Sequence, residues 1–200
     1  MRKIFLATGN EGKVKEMKDL LAELEVELVT TFDLSEVPEV VEDGSTLEEN
    51  AIKKAKELAD YTGLLTIADD TGLLVDALAG RPGVYSARYA GEDATYDDNN
   101  RKLLSELDGI SLEDRTARFK TVMALVKSEG EVKTVEGICK GKIGFKPEGN
   151  HGFGYDPLFI PQGYNVTFAE MKSEVKNKIS HRAKALDKLK EILQSDWMDQ

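Results

Sequence analysis

Two hundred residues, 40% of them hydrophobic, can bury a sizeable core in one domain or in one domain with two lobes. A net charge of −10 argues against a nucleic-acid backbone as the main partner, because that partner needs a basic face. The single cysteine, Cys139, excludes an internal disulfide and a Cys₄ or Cys₂His₂ zinc site, and no apolar run reaches the ~18 residues of a membrane span, so a cytoplasmic protein is expected.

Lys3 to Ala7 reads as a first strand. The turn Thr8-Gly9-Asn10-Glu11-Gly12-Lys13 follows, then apolar residues at helical spacing: Val14, Met17, Leu20, Leu21 and Leu24. Strand, glycine-containing turn with a lysine, then helix is the arrangement of a phosphate site. Backbone N–H groups and the positive helix end face the anion, and the lysine adds a point charge. The glycine spacing is not that of a Walker A loop, and Asn10 also suits a plain helix cap. Val26 to Thr31 reads as a second strand. Ser45 with Glu48, or Thr46 with Glu49, forms a capping box. It opens a helix with Leu47, Ala51, Ile52, Ala55, Leu58 and Ala59 on one face. Asn50 and Lys54 are four residues apart and can point at one ligand. Glu42 lies just ahead of this helix, where a loop can carry it towards the next segment.

Leu64 to Ala68 is a short apolar run that reads as a buried strand. It is expected to end abruptly in a polar turn, Asp69-Asp70-Thr71-Gly72. Ligands of open α/β sheets sit beyond the carboxyl ends of strands. Two adjacent acids repel each other, and a hard divalent cation such as Mg²⁺ relieves that repulsion. A long glycine-rich and aromatic segment with Arg81 and Arg88 comes next, then a helix from Asp97 to Leu107. Arg118 to Lys127 and Val132 to Lys142 read as a hairpin turned by Ser128 to Glu131, which either extends the sheet or forms a second lobe. Cys139 reads as a buried strand residue. Gly149 to Pro157 is a third glycine-rich loop, with Phe153 between Gly152 and Gly154 able to stack on a base. Leu158 to Ile160 reads as a strand and Ser180 to Gln194 as the last helix. His181 and Arg182 fall in its first turn, where the dipole disfavours cations. Either an anion or polar ligand lies nearby, or the turn simply faces solvent.

Six motifs occur in one order between residues 4 and about 190. They are Thr8-Gly9-Asn10-x-Gly12-Lys13, Glu49-Asn50-Ala51-x-x-Lys54-Ala55, Ala68-Asp69-Asp70-Thr71-Gly72-Leu73, Pro82-Gly83-Val84-Tyr85-Ser86-Ala87-Arg88-Tyr89, Gly152-Phe153-Gly154-Tyr155-Asp156-Pro157, and Lys176 with Ser180-His181-Arg182. As a set they resemble the inosine triphosphate pyrophosphatase family, the house-cleaning dITP/XTP pyrophosphatases. Thr71 stands where many members carry serine, and the hydroxyl is kept. The resemblance implies an α/β fold with a long mixed β-sheet flanked by helices, and two lobes with a central active-site cleft. It implies one two-lobed domain over residues 1–200 and a homodimer. The implied activity is Mg²⁺-dependent hydrolysis of ITP, dITP and XTP to the monophosphate and pyrophosphate. By the same resemblance Thr8, Gly9, Asn10, Glu11, Gly12 and Lys13 cradle phosphates, and Glu42 and Asp70 bind Mg²⁺. Asp70 is the proton acceptor, and Thr71, Phe153, Gly154, Tyr155, Asp156, Lys176, His181 and Arg182 contact the nucleotide. Lys54 adds a further cation for the triphosphate. A carboxylate bound to Mg²⁺ is a weakened base, so proton transfer to Asp69 stays open. Two alternatives stand beside this reading: a non-catalytic purine nucleotide sensor, and a pyrophosphatase for other modified nucleotides.

Overall fold

The computed structural model describes residues 2–195. Among them lie strands β1 (Arg2–Leu6), β2 (Val26–Thr30), β3 (Leu65–Val75), β4 (Pro82–Gly83), β5 (Thr116–Val126), β6 (Val132–Ile143) and β7 (Phe159–Pro161). The helices are α1 (Glu11–Leu21), α2 (Leu47–Thr62), α3 (Tyr96–Glu106), α4 (Ser173–Ile179) and α5 (His181–Gln194). The strands form one mixed sheet in the order β2-β1-β3-β5-β6-β7, with β4 paired to β3. β1 runs parallel to β2 and β3, while β4 and β7 run antiparallel to β3 and β6. The predicted hairpin thus extends the sheet. The chain separates into two compact units, Met1–Asp70 with Thr121–Gly137 and Arg182–Gln200, and Thr71–Lys120 with Ile138–His181. No helix among the described residues is long and apolar enough to cross a membrane.

In the first unit, Asn10 caps α1 by accepting from the Lys13 N–H at 3.1 Å. α1 ends at Leu21 rather than Leu24, because the chain turns through Leu24 N–H to Leu21 O at 3.0 Å and enters β2. Thr46, not Ser45, caps α2. Its hydroxyl accepts from Glu49 N–H at 3.1 Å, and the Glu49 carboxylate accepts from Ser45 N–H at 2.7 Å and Thr46 N–H at 3.2 Å. α2 stops at Gly63, whose φ of 66° places it in the left-handed region that glycine enters without a Cβ penalty. The core joins Ile4 and Leu6 of β1, Met17 and Leu21 of α1, Ile67 of β3, Met123 and Leu125 of β5, and Leu186 and Leu189 of α5. Each such side chain contributes roughly 1.5–3 kcal/mol by leaving water.

The Asp69-Asp70-Thr71-Gly72 stretch is not a turn. β3 passes straight through it to Val75. Successive strand side chains point to opposite faces, so Asp69 shares the face of Ile67 and of α1 and α5, and Asp70 points the other way, to α2. Each acid finds partners on its own face, so the polar stretch breaks no pairing.

The second unit packs Leu73 and Val75 of β3, Leu103 of α3, Phe119 of β5, Ile143 of β6, Phe159 of β7 and Phe168 into its own core. Cys139 is buried on β6, as the sequence suggests. The predicted last helix is preceded by a second, α4. Ser180, extended at φ −66° and ψ 159°, separates α4 from α5.

Thr95 and Asp98 form a capping box at the start of α3. The Thr95 hydroxyl and backbone N–H, with Arg101, hold the Asp98 carboxyl down at about 2. A folded pKa below the ordinary 3.8 gives stability that is full above that value and is lost as pH falls towards the folded one. The urea midpoint of the wild type is therefore expected to exceed that of Asp98→Asn at neutral pH, with the gap closing as pH drops below 3.8. A gap that does not change with pH would mean that the charge of Asp98 does not matter to the cap.

Candidate active site

β1 leads into Thr8 two residues past its carboxyl end, and α1 opens three residues later. Thr8 Oγ1 accepts from Asn10 N–H at 3.2 Å, and the Thr8 carbonyl accepts from Thr31 Oγ1 at 2.8 Å. The turn is thus fixed at both ends. One helical turn on, Lys13 reaches down to Asp69, with Nζ 3.0 Å from Oδ2. Arg182, from the first turn of α5, places Nη2 at 3.2 Å from the same oxygen and Nη1 against Glu16 of α1. Asp69 is fully buried and Arg182 nearly so. Burial works to raise the Asp69 pKa, but the charges of Lys13, Arg182 and Lys54 overcome it, holding the carboxyl far below its ordinary value. Burial pulls Lys13 down from the usual lysine value, against the opposing charge of Asp69.

Asp70 lives in different surroundings. Its Oδ2 accepts from Asn50 Nδ2 at 3.1 Å, and Asn50 in turn accepts from Gly44 N–H at 2.7 Å. Gly44 must be a glycine here, since a Cβ would sit 2.6 Å from Asn50 Oδ1. Burial, assisted by the nearby charge of Glu42, raises the Asp70 carboxyl above its ordinary value against the pull of Lys54 and Lys13. Lys54, four residues beyond Asn50 on the same face of α2, pairs with Glu42 at 2.6 Å. Glu42 and Asp70 therefore stand close enough to feel each other's charge, with Lys54 between them electrostatically. Two mutually repelling carboxylate oxygen donors and an amide suit a hard divalent cation. Among the described residues no third carboxylate, imidazole or thiol joins them.

The second unit gathers the remaining predicted residues. Asp156 accepts from Phe153 N–H at 2.9 Å and pairs with Lys176 of α4 at 2.6 Å. Lys176 Nζ also lies 5.2 Å from the Phe153 ring centre. Gly152 is left-handed at φ 74°, and a Cβ there would fall 2.0 Å from Asp156 Oδ2. Tyr155 donates to the Ser86 carbonyl at 2.9 Å, and burial pushes its hydroxyl pKa well up. His181 stacks on Phe119, ring centres 4.6 Å apart. Thr71 sits half-buried on β3, directly after Asp70. Arg81 and Arg88 of the aromatic segment pair with Glu106 and Glu92.

Sequence reasoning missed Glu16, although it lies three residues after Lys13 and so on the same side of α1.

The sequence matches the Ham1 family over residues 4–192. The chain belongs to the Ham1 family. It is 55% identical over 191 residues to the dITP/XTP pyrophosphatase of Elusimicrobium minutum, covering 94% of this chain and 97% of that one. It is 48% identical over 195 residues to the dITP/XTP pyrophosphatase of Bacillus subtilis, covering 98% of each. A solved HAM1 protein from Coxiella burnetii matches with a TM-score of 0.87 at 42% identity, over 96% of this chain and 98% of that one. A nucleoside-triphosphatase / dITP/XTP pyrophosphatase from Mycobacterium abscessus matches with a TM-score of 0.74 at 45% identity, over 94% and 97%. The Ham1 assignment accounts for the six motifs together, since the match spans all of them.

Proposed function

We propose that this Ham1 protein hydrolyses non-standard purine nucleoside triphosphates, ITP, dITP and XTP, to the monophosphate and pyrophosphate. The observation that carries the reading is the unequal treatment of two adjacent acids on β3. Asp69 is spent on Lys13 and Arg182 at 3.0 and 3.2 Å, whereas a neutral amide holds Asp70 at 3.1 Å. A nucleotide sensor has no use for a buried carboxylate held by a neutral amide. An enzyme that must take a proton from water does.

The first unit supplies the phosphate end. The N–H groups of Gly9, Glu11 and Gly12, at the opening of α1, face the triphosphate, and Lys13 and Lys54 spread its charge. Glu42 and Asp70 would hold Mg²⁺, which when bound supplies further neutralisation of the triphosphate. Water attacks the α-phosphorus and the Pα–O–Pβ bond breaks. The water proton passes to Asp70, and pyrophosphate leaves. Asp69 serves by fixing Lys13.

At the base end, the Phe153–Asp156 loop, Thr71, Lys176, His181 and Arg182 meet the purine. A 6-oxo group is an acceptor that matches donor-only side chains such as Arg182, whereas adenine meets them donor to donor. Arg182 would make this contact by exchanging one of its carboxylate partners. Unpaired donors of this kind give roughly 10²–10⁴-fold preference for ITP over ATP. Residues 1–200 act as one domain, in the cytoplasm and as a homodimer; the resemblance supports all three.

Hydrolysis in ¹⁸O-labelled water tests the reading. The label is expected in the monophosphate and absent from pyrophosphate. Stepwise release of inorganic phosphate would mean an ordinary triphosphatase, and no turnover of ITP with Mg²⁺ would favour the sensor.

A further inference from the structure

Helix α3 carries two adjacent buried asparagines, a residue type that helix interiors disfavour. Asn99 uses both ends of its amide. Nδ2 donates to the Ala87 carbonyl at 2.9 Å, and Oδ1 accepts from Ala90 N–H at 2.7 Å. Asn100 uses one. Its Nδ2 donates to the Gly154 carbonyl at 3.1 Å, while Oδ1 is buried and accepts no hydrogen bond among the described residues. Only the NH₂ end can meet a carbonyl, so chemistry fixes this orientation. A buried acceptor left over costs stability, and a leucine of similar shape would remove it. Asn100 is therefore not explained by stability, whereas Asn99 is.

We propose that Asn100 is a positioning residue for the Gly152–Asp156 loop, holding the Gly154 carbonyl and, through it, the Phe153 ring in the orientation that meets the purine. The proposal rests on the proposed function. Gly154 is left-handed at φ 63°, and a Cβ on it would touch nothing within 4 Å. No side chain of its own restrains this peptide, so its direction must be set from outside. The rest of the loop is already tied. Asp156 holds Phe153 N–H and Lys176, and Gly152 packs against the Asp156 carboxylate. Tyr96, one turn before Asn100 on the same face of α3, brings its ring to 6.3 Å from Phe153 at a 38° tilt. One helical face thus supplies both a ring contact to Phe153 and a tether to the next residue.

The test compares Asn100→Leu, Asn100→Ala and Asn99→Ala with the wild-type enzyme. Asn100→Leu is expected to melt at or above the wild-type temperature, whereas Asn99→Ala melts lower. Loss of one positioning hydrogen bond is expected to raise KM for ITP about 10-fold, with kcat within about 3-fold. Inhibition by inorganic pyrophosphate, which lacks a base, should stay within about 2-fold of wild type. Hydrogen exchange should quicken in residues 149–157 and not elsewhere. A normal KM in folded Asn100 variants overturns the proposal, whether or not the loop loosens. So does a parallel rise in KM and in the pyrophosphate inhibition constant, and so does failure of both Asn100 variants to fold. Absence of ITP turnover by the wild type would instead sink the proposed function, and this proposal with it.

Discussion

Asp70→Asn is expected to lower kcat for ITP by at least ~10²-fold, the scale of losing a positioned acid–base or charge-stabilising group. The fold should survive. Asparagine has the same shape, its amide oxygen can accept from Asn50 Nδ2 in place of the carboxylate, and Thr121 Oγ1 bonds the Asp70 backbone carbonyl rather than its side chain, at 3.1 Å. Burial already disfavours the charged form of Asp70, so a neutral amide should leave the melting temperature unchanged or higher. Pyrophosphate release and a thermal melt on the same preparation read both halves. Near-normal turnover by a folded variant would take Asp70 out of the chemistry.

Arg182→Ala should do the reverse and act first on stability. Its guanidinium serves two carboxylates, Asp69 and Glu16, at a site that is 1% exposed. Removing one partner of a buried ionic cluster costs about 3–5 kcal/mol, because the remaining charges lose their compensation. For a chain of this length that is a fall of roughly 6–20 °C in Tm. Combining it with Asp69→Asn should cost less than the two single losses added, since the second change removes the charge that the first left stranded. Strict additivity would show that the two side chains do not act as a pair. In whatever folded fraction remains, a narrowed ITP to ATP ratio in kcat/KM would support the proposed contact with the base, and an equal loss of both activities would assign Arg182 to the scaffold alone.

The local signals in this sequence were legible because they are local. The Asn10 and Thr46 caps and the turn between β5 and β6 rest on residues within five positions of one another, and the periodic faces of α1 and α2 each lie within a single helix. The Asp69-Asp70 stretch misled because its polarity is answered from far away. Lys13 and Arg182 neutralise one face, and Asn50 with Lys54 serves the other, so a stretch that reads as a turn lies flat in the sheet. α4 was missed because seven residues with three charges give too little periodicity to stand out. The residues of the first unit's site were nameable from the motifs, but the division of labour between the two acids was not. That division comes from the alternation of a strand, which assumes that the strand continues.

The Asp69 to Arg182 bond joins residues 113 positions apart. At about 5–20 residues per second, a ribosome adds Arg182 roughly 6–20 s after Asp69. During that interval Lys13 is already made and Arg182 is not, and α5 has yet to bring Leu186 and Leu189 to the core shared with Ile4 and Met17. The first unit is therefore begun by the first residues synthesised and completed by nearly the last. A nascent chain stalled before Arg182 carries an unfinished ionic cluster over an open apolar face, which is the kind of surface that chaperones hold and proteases find.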